Sequence, residues 1–104
     1  MIDIPLQAVA NQQLSIPLED ARYVLTIKEA NGGMIMSVTR DGELIVSNTR
    51  IVADQLVLPY AYLHPGAGNF LMSTQDAELV YWDKFGLTQF MAYITADELA
   101  AQGL

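Results

Sequence analysis

Cysteine is absent from this chain, so disulfides and thiolate metal sites are excluded and nothing marks an oxidising compartment. Histidine occurs once, as His64, and the residues spaced around it supply no second metal ligand. A nucleophile built on Cys is impossible, and no Gly-x-Ser-x-Gly context exists for a serine. An ordinary loop hydrogen bond accounts for His64 better than catalysis does. Basic residues are scarce, five against twelve acidic, for a formal charge of −7. A nucleic-acid or anionic-membrane surface needs a basic stripe, so neither specific nucleic-acid binding nor membrane binding is expected. Charge of either sign is sparse: 16% of residues, where soluble domains average roughly a quarter.

What replaces charge is apolar surface. Hydrophobic residues make up 52% of the 104 positions. A chain this short fits one domain, residues 1–104, and leaves much of its surface in water. Part of the apolar excess is therefore expected to face a partner. The opening Met1–Pro5 has neither the basic region nor the apolar core of a secretory signal. The longest uncharged run, Gln55 to Gln75, contains Pro59, Pro65, Gly66, Gly68 and Asn69, which no spanning helix carries together.

Residues 22–51 organise the fold. Tyr23, Leu25 and Ile27 alternate with Val24, Thr26 and Lys28, and Met34, Met36 and Val38 alternate with Ile35, Ser37 and Thr39. Asn31-Gly32 and Asp41-Gly42 supply the positive φ values of tight hairpins. A three-stranded meander follows, with Glu43–Ser47 as its third strand. Asn48-Thr49-Arg50 breaks the alternation, which indicates a bulge. Before the meander, Ile2–Pro5 reads as a short edge strand. Leu14–Leu18 reads as another, kept at an edge by Pro17, and Glu19-Asp20 as a solvated turn. After it, Ile51–Leu58 and Phe70–Thr74 read as extended, and Leu87–Ile94 as the last strand. Thr95-Ala-Asp-Glu98 is a capping box that opens a short C-terminal helix, with Gly103 to stop it. The expected fold is mainly β: a small antiparallel barrel or sandwich built on the meander. Its core should include Tyr23, Leu25, Ile27, Met36, Val38, Leu44, Val46, Phe90 and Ala92.

Gly66-Ala-Gly68 lacks the third glycine, the Lys and the helix of a phosphate-cradling loop. Tyr60, Tyr62, Phe70, Tyr81 and Trp82 resemble a stacking platform for bases, but no basic residue lies between Arg50 and Lys84 to make a cationic groove. The expectation is an assembly component rather than an enzyme, without cofactor or metal. Tyr60, Tyr62, Leu63 and Phe70, in an uncharged stretch, are its candidate partner contacts. Aromatic anchors of this kind suit a protein interface. The same stretch is equally suited to folding back as a lid over the sheets.

Several pieces follow one another in an order that resembles a small family of contractile-tailed phage proteins, the baseplate plug of cyanophage type. They are Ile4-Pro5-Leu6-Gln7-Ala8-Val9 with Asn11-Gln12, then Thr39-Arg40-Asp41-Gly42, Leu58-Pro59-Tyr60 and Gly68-Asn69-Phe70. Phe85-Gly86-Leu87-Thr88-Gln89-Phe90 and the closing strand with its helical tail complete the order. The resemblance implies a structural subunit that plugs or organises the distal end of the tail tube at the central hub. It implies contacts with other baseplate, hub and tail-tube proteins, a symmetric homo-oligomer within the assembly, and residence in the virion after synthesis in the bacterial host cytoplasm. Two other classes stay open on the residues alone: a small β-barrel ligand-binding protein, and a regulatory protein that binds a host factor.

Overall fold

The computed structural model describes residues 1–58 and 68–101. They form β1 (Ile2–Ile4), β2 (Gln12–Leu18), β3 (Ala21–Ala30), β4 (Gly33–Arg40), β5 (Glu43–Arg50), β6 (Asn69–Thr74), β7 (Gln89–Ile94) and α1 (Ala96–Ala101). A 3₁₀ turn, Trp82–Lys84, precedes β7. The strands make two antiparallel sheets, one ordered β1-β7-β6 and the other β2-β3-β4-β5. Among the described residues no closed barrel forms; the two sheets share one hydrophobic core, as in a sandwich.

The meander is the larger sheet, and local chemistry explains its turns. Asn31 and Gly32 stand at φ 52° and 77°, Asp41 and Gly42 at 50° and 84°. Both residues of each pair are left-handed, which matches the twist of a two-residue hairpin. The Asp41 carboxylate accepts from the Arg22 N–H at 2.8 Å, tying this turn to the start of β3. Gly42→Val is expected to cost about 1 kcal/mol or more, because a β-branched residue is strained at positive φ. Urea unfolding measures the loss, and an unchanged midpoint would contradict the turn assignment.

The inner face of the meander holds Leu25, Ile27, Met34, Met36 and Val38, all fully buried. Leu44, expected beside them, is 60% exposed. The pairing of β4 with β5 explains the difference. Met36 pairs with Thr49, Val38 with Val46 and Thr39 with Leu44, so β5 carries an extra residue between Thr49 and Val46 and another between Val46 and Leu44. One added residue exchanges inward and outward positions. Val46 thus shares the inner face with Val38, and Leu44 shares the outer face with Thr39. The first bulge lies where the sequence breaks pattern. Asn48 adopts φ 52° there, and its N–H donates to Ser37 Oγ at 2.9 Å.

The smaller sheet contributes Ile4, Phe70, Met72, Met91 and Tyr93 to the core. An aromatic trio joins the sheets. Tyr23 of β3 lies 5.6 Å from Phe70 of β6 and 5.7 Å from Tyr93 of β7, and Phe70 lies 5.2 Å from Tyr93, all in tilted or edge-on arrangements. Such geometry matches ring quadrupoles and adds to the burial of the rings themselves.

The segment Ile51–Leu58, expected as a strand, is irregular, with a turn at Ala53–Asp54 and Asp54 at φ 59°. It still protects the free edge of β6. Asp54 and Val57 donate their N–H groups to the Met72 and Phe70 carbonyls, at 2.9 and 2.8 Å. Asn69, fully buried, binds both backbone groups of Leu58 through its side-chain amide.

The capping box forms as its spacing predicts. Thr95 N–H donates to Glu98 Oε1 at 2.9 Å, and Glu98 N–H donates to Thr95 Oγ1 at 3.2 Å. The N-terminal ammonium adds a contact to Glu98 Oε2 and, with the Thr95 N–H, lowers the Glu98 pKa from 4.5 to about 2. Because the folded value is depressed, these contacts stabilise the protein above pH 4.5 and are lost as pH falls towards 2. An acid titration followed by circular dichroism should therefore show Glu98→Gln losing less stability across that window than the parent. Identical acid limbs would contradict the pairing.

Candidate interaction surface

Of the four residues expected at a partner surface, Tyr60, Tyr62 and Leu63 lie outside the described residues, as does His64. Phe70 is fully buried within the aromatic trio. Its ring is therefore a core group, and its place at a partner surface is corrected. Phe70 stands in register with Tyr93, whose inward alternation from β7 carries both rings to the inner face.

Sequence reading placed Phe90 inside, but it is 54% exposed. The same alternation accounts for it: Gln89, Met91 and Tyr93 point inward, and Phe90 points out. A buried glutamine is tolerated there because its amide is satisfied. Gln89 Nε2 donates to the Leu79 carbonyl at 2.7 Å, and its Oε1 accepts from the Tyr81 N–H at 2.9 Å. Leaving those groups unpaired in the core would cost far more than exposing a phenyl ring in part. Gln89 thus holds the chain before the 3₁₀ turn, and Gly86, at φ 82°, directs it back into β7. The Gly86 N–H closes that reversal on the Gln89 carbonyl at 2.9 Å.

Phe90 forms a ridge between two grooves. One, of about 340 Å³, runs along β1 and β7 and is lined by Asp3, Ile4, Pro5, Leu6, Gly86, Gln89, Phe90 and Met91. The other, of about 280 Å³, lies between the ends of β6 and β7 and includes Leu87, which is 72% exposed. Beside the second groove, Glu78 accepts from Thr88 Oγ1 at 2.5 Å and from Lys84 Nζ at 2.9 Å. These bonds, Thr88 first, hold the Glu78 carboxyl below the ordinary carboxylate range, and the bond to Glu78 keeps the Lys84 ammonium above its own. Both side chains are solvated, so the pair orders the loop more than it stabilises the fold.

Glu19 was expected in a solvated turn. Its backbone is there, at φ 48°, but its carboxylate links the turn to the other sheet. It accepts from Tyr93 Oη at 2.5 Å and from the Ala96 N–H at the start of α1 at 3.3 Å. Burial, then the Glu19 bond, raises the Tyr93 pKa well above the usual phenol range. The neutral hydroxyl can therefore donate to Glu19 while accepting from the Gly68 N–H at 2.8 Å.

Among the described residues no group of three or more His, Asp or Glu side chains is arranged to hold a metal. The larger groove contains one ionisable side chain, Asp3. What these surfaces offer is an exposed aromatic ridge, Phe90, flanked by two concave strips. No described helix is long and apolar enough to cross a membrane.

The described strands define a small, mainly β protein of sandwich type. The family model described as cyanophage baseplate Pam3 plug gp18 matches residues 1–97, nearly the whole chain, and the chain belongs to that family of phage tail baseplate proteins. No curated protein matches it.

Proposed function

We propose that this protein plugs the distal end of the tail tube at the central hub, as a symmetric homo-oligomer in contact with hub and tube proteins. The observation that carries the reading is membership, over residues 1–97, in a baseplate plug family. The exposed Phe90 and Leu87 support it, since apolar side chains held out by ordered backbone suit a permanent contact. The net charge of −7 also suits a conduit for DNA, because like charge discourages sticking. The role is structural rather than enzymatic, and needs no cofactor. The uncharged segment with Tyr60, Tyr62 and Leu63 docks on the hub or on a symmetry mate.

Co-expression with the neighbouring tail proteins, followed by mass measurement and electron micrographs of the particles, tests this reading. The parent should co-purify with hub or tube protein and fill the end of the tube. Tyr62→Glu should keep the parental melting temperature and lose incorporation, because the carboxylate is desolvated only in the complex. A protein absent from particles that are otherwise complete would overturn the function. A Tyr62→Glu variant that melts early, or still assembles, would remove that segment from the contact.

A further inference from the structure

The asparagines of this chain are Asn11, Asn31, Asn48 and Asn69, and the fold engages the side chains of all but one. Asn11 Oδ1 accepts from the Glu29 N–H at 3.4 Å. Asn48 Oδ1 accepts from Ser37 Oγ at 3.5 Å, and the β-branched Thr49 follows it in the chain. Asn69 is fully buried, its amide bound to both backbone groups of Leu58. Asn31 is the exception. It is exposed at a hairpin tip, glycine follows it, and its amide makes no hydrogen bond among the described residues.

This arrangement puts an amide carbon beside an unshielded backbone nitrogen. The β3–β4 ladder closes at the pair Ala30–Gly33, so the Gly32 N–H lies beyond it, and Gly32 has no side chain to cover that nitrogen. Attack of the Gly32 nitrogen on Asn31 Cγ closes a five-membered succinimide ring. The new bond joins that nitrogen to Cγ, the bond from Cγ to the amide nitrogen breaks, and ammonia leaves with the Gly32 proton. Water then opens the ring at either carbonyl. One product is aspartate. In the other, isoaspartate, the main chain runs through Cβ and Cγ of residue 31 and so gains a methylene. The attack needs Asn31 to leave its left-handed conformation, a motion that costs little at an exposed turn.

The sister turn, Asp41-Gly42, has the same backbone but is clamped. The Asp41 N–H donates to the Arg22 carbonyl and its carboxylate accepts from the Arg22 N–H, each at 2.8 Å. Its carboxyl is thereby held on Arg22, and an ionised carboxylate is in any case a poor electrophile.

We propose that Asn31-Gly32 is a site of spontaneous modification, where the amide is exchanged with water for a carboxyl group and the isoaspartyl product loosens the β3–β4 hairpin. Both turn residues are fixed in left-handed conformation, at φ 52° and 77°, so a two-residue turn has no place for an added backbone atom. The pairs beyond it seat Met34 and Met36 in the core, and a distorted turn strains them first. This goes beyond the proposed function and does not rest on it.

Incubating the purified chain in warm, mildly alkaline buffer tests the site. Ion exchange should resolve an acidic form that accumulates as ammonia is released. Peptide mapping should place the change at Asn31, and isoaspartyl methyltransferase should label the rearranged product. The isolated isoaspartyl form should melt about 4 °C or more below the parent, the scale on which a domain of this size registers a damaged turn. Asn31→Asp, freshly purified, should melt close to the parent, because Asp-Gly fits the same turn without the extra atom. Asn31→Gly should fold and yield no acidic form, since Gly-Gly also suits the turn. Three results would each overturn the proposal. They are a parent whose Asn31 amide persists after the urea-unfolded chain has lost its own, a change that maps first to Asn11, Asn48, Asn69 or Asp41, and an isoaspartyl form that melts no lower than Asn31→Asp.

Discussion

Phe70→Ala is expected to cost about 3–5 kcal/mol, the range found when a buried phenylalanine is truncated in a packed core. Its ring is fully buried and touches Tyr23 across the sandwich and Tyr93 along its own sheet. Removing it leaves a cavity at the point where the two sheets meet and breaks two aromatic contacts at once. Domains of this size are stable by about 5–15 kcal/mol, so the loss is a large fraction of the total. Thermal unfolding should show the midpoint fall by more than about 10 °C. A variant with the parental midpoint and a defect only in assembly would return Phe70 to a partner surface.

Gly68→Ala is expected to be nearly as damaging, although it adds one methyl group. A Cβ at Gly68 would stand 2.0 Å from the Ile94 carbonyl oxygen and 2.7 Å from the Tyr93 hydroxyl. The first obstacle is backbone, so no side-chain rotation relieves it. The start of β6 would have to separate from the end of β7, at the pair Asn69–Ile94. That shift also strains the bond from the Gly68 N–H to Tyr93, and with it the Glu19 contact to α1. Overpacking costs about 1–3 kcal/mol and occasionally more, and this site belongs at the upper end of that range. Equilibrium unfolding in urea measures it, and a loss below about 0.5 kcal/mol, the scale of an ordinary surface change, would show that the strands slide apart freely.

The parts of the fold legible in the sequence are those set by neighbours along the chain. Asn31-Gly32 and Asp41-Gly42 specify their hairpins by backbone chemistry alone, and Thr95 with Glu98 closes a cap across three residues. Pro17 marks β2 as an edge strand, which it is. The misplaced residues depend on partners far away. Leu44 turns outward because β5 takes a second extra residue against β4, and Glu43–Val46 shows no irregularity of its own. Phe90 turns outward because Gln89 finds backbone partners at Leu79 and Tyr81. Pattern alone prefers phenylalanine to glutamine in a core. Alternation counted back from Tyr93 and Met91 puts both residues on their correct sides. The Gly- and Pro-rich sequence before Phe70 suggests a surface anchor, while its register with Tyr93 places it in the core. The interaction surface was therefore legible in kind, as surplus apolar area, and of its four expected contacts Phe70 belongs to the core.

Phe90 and Leu87 are held in place by Gln89, Gly86 and the Glu78 loop, on backbone that is already ordered. A contact made through side chains already held in place lowers the cost of assembly.

A reconstruction of the intact tail by electron cryomicroscopy tests the proposed role most directly. It should show density for this chain on the tail axis at the distal end of the tube, in contact with the hub and repeated by the symmetry of the assembly. Complete baseplates that lack the chain on that axis, or carry it only at their periphery, would contradict it.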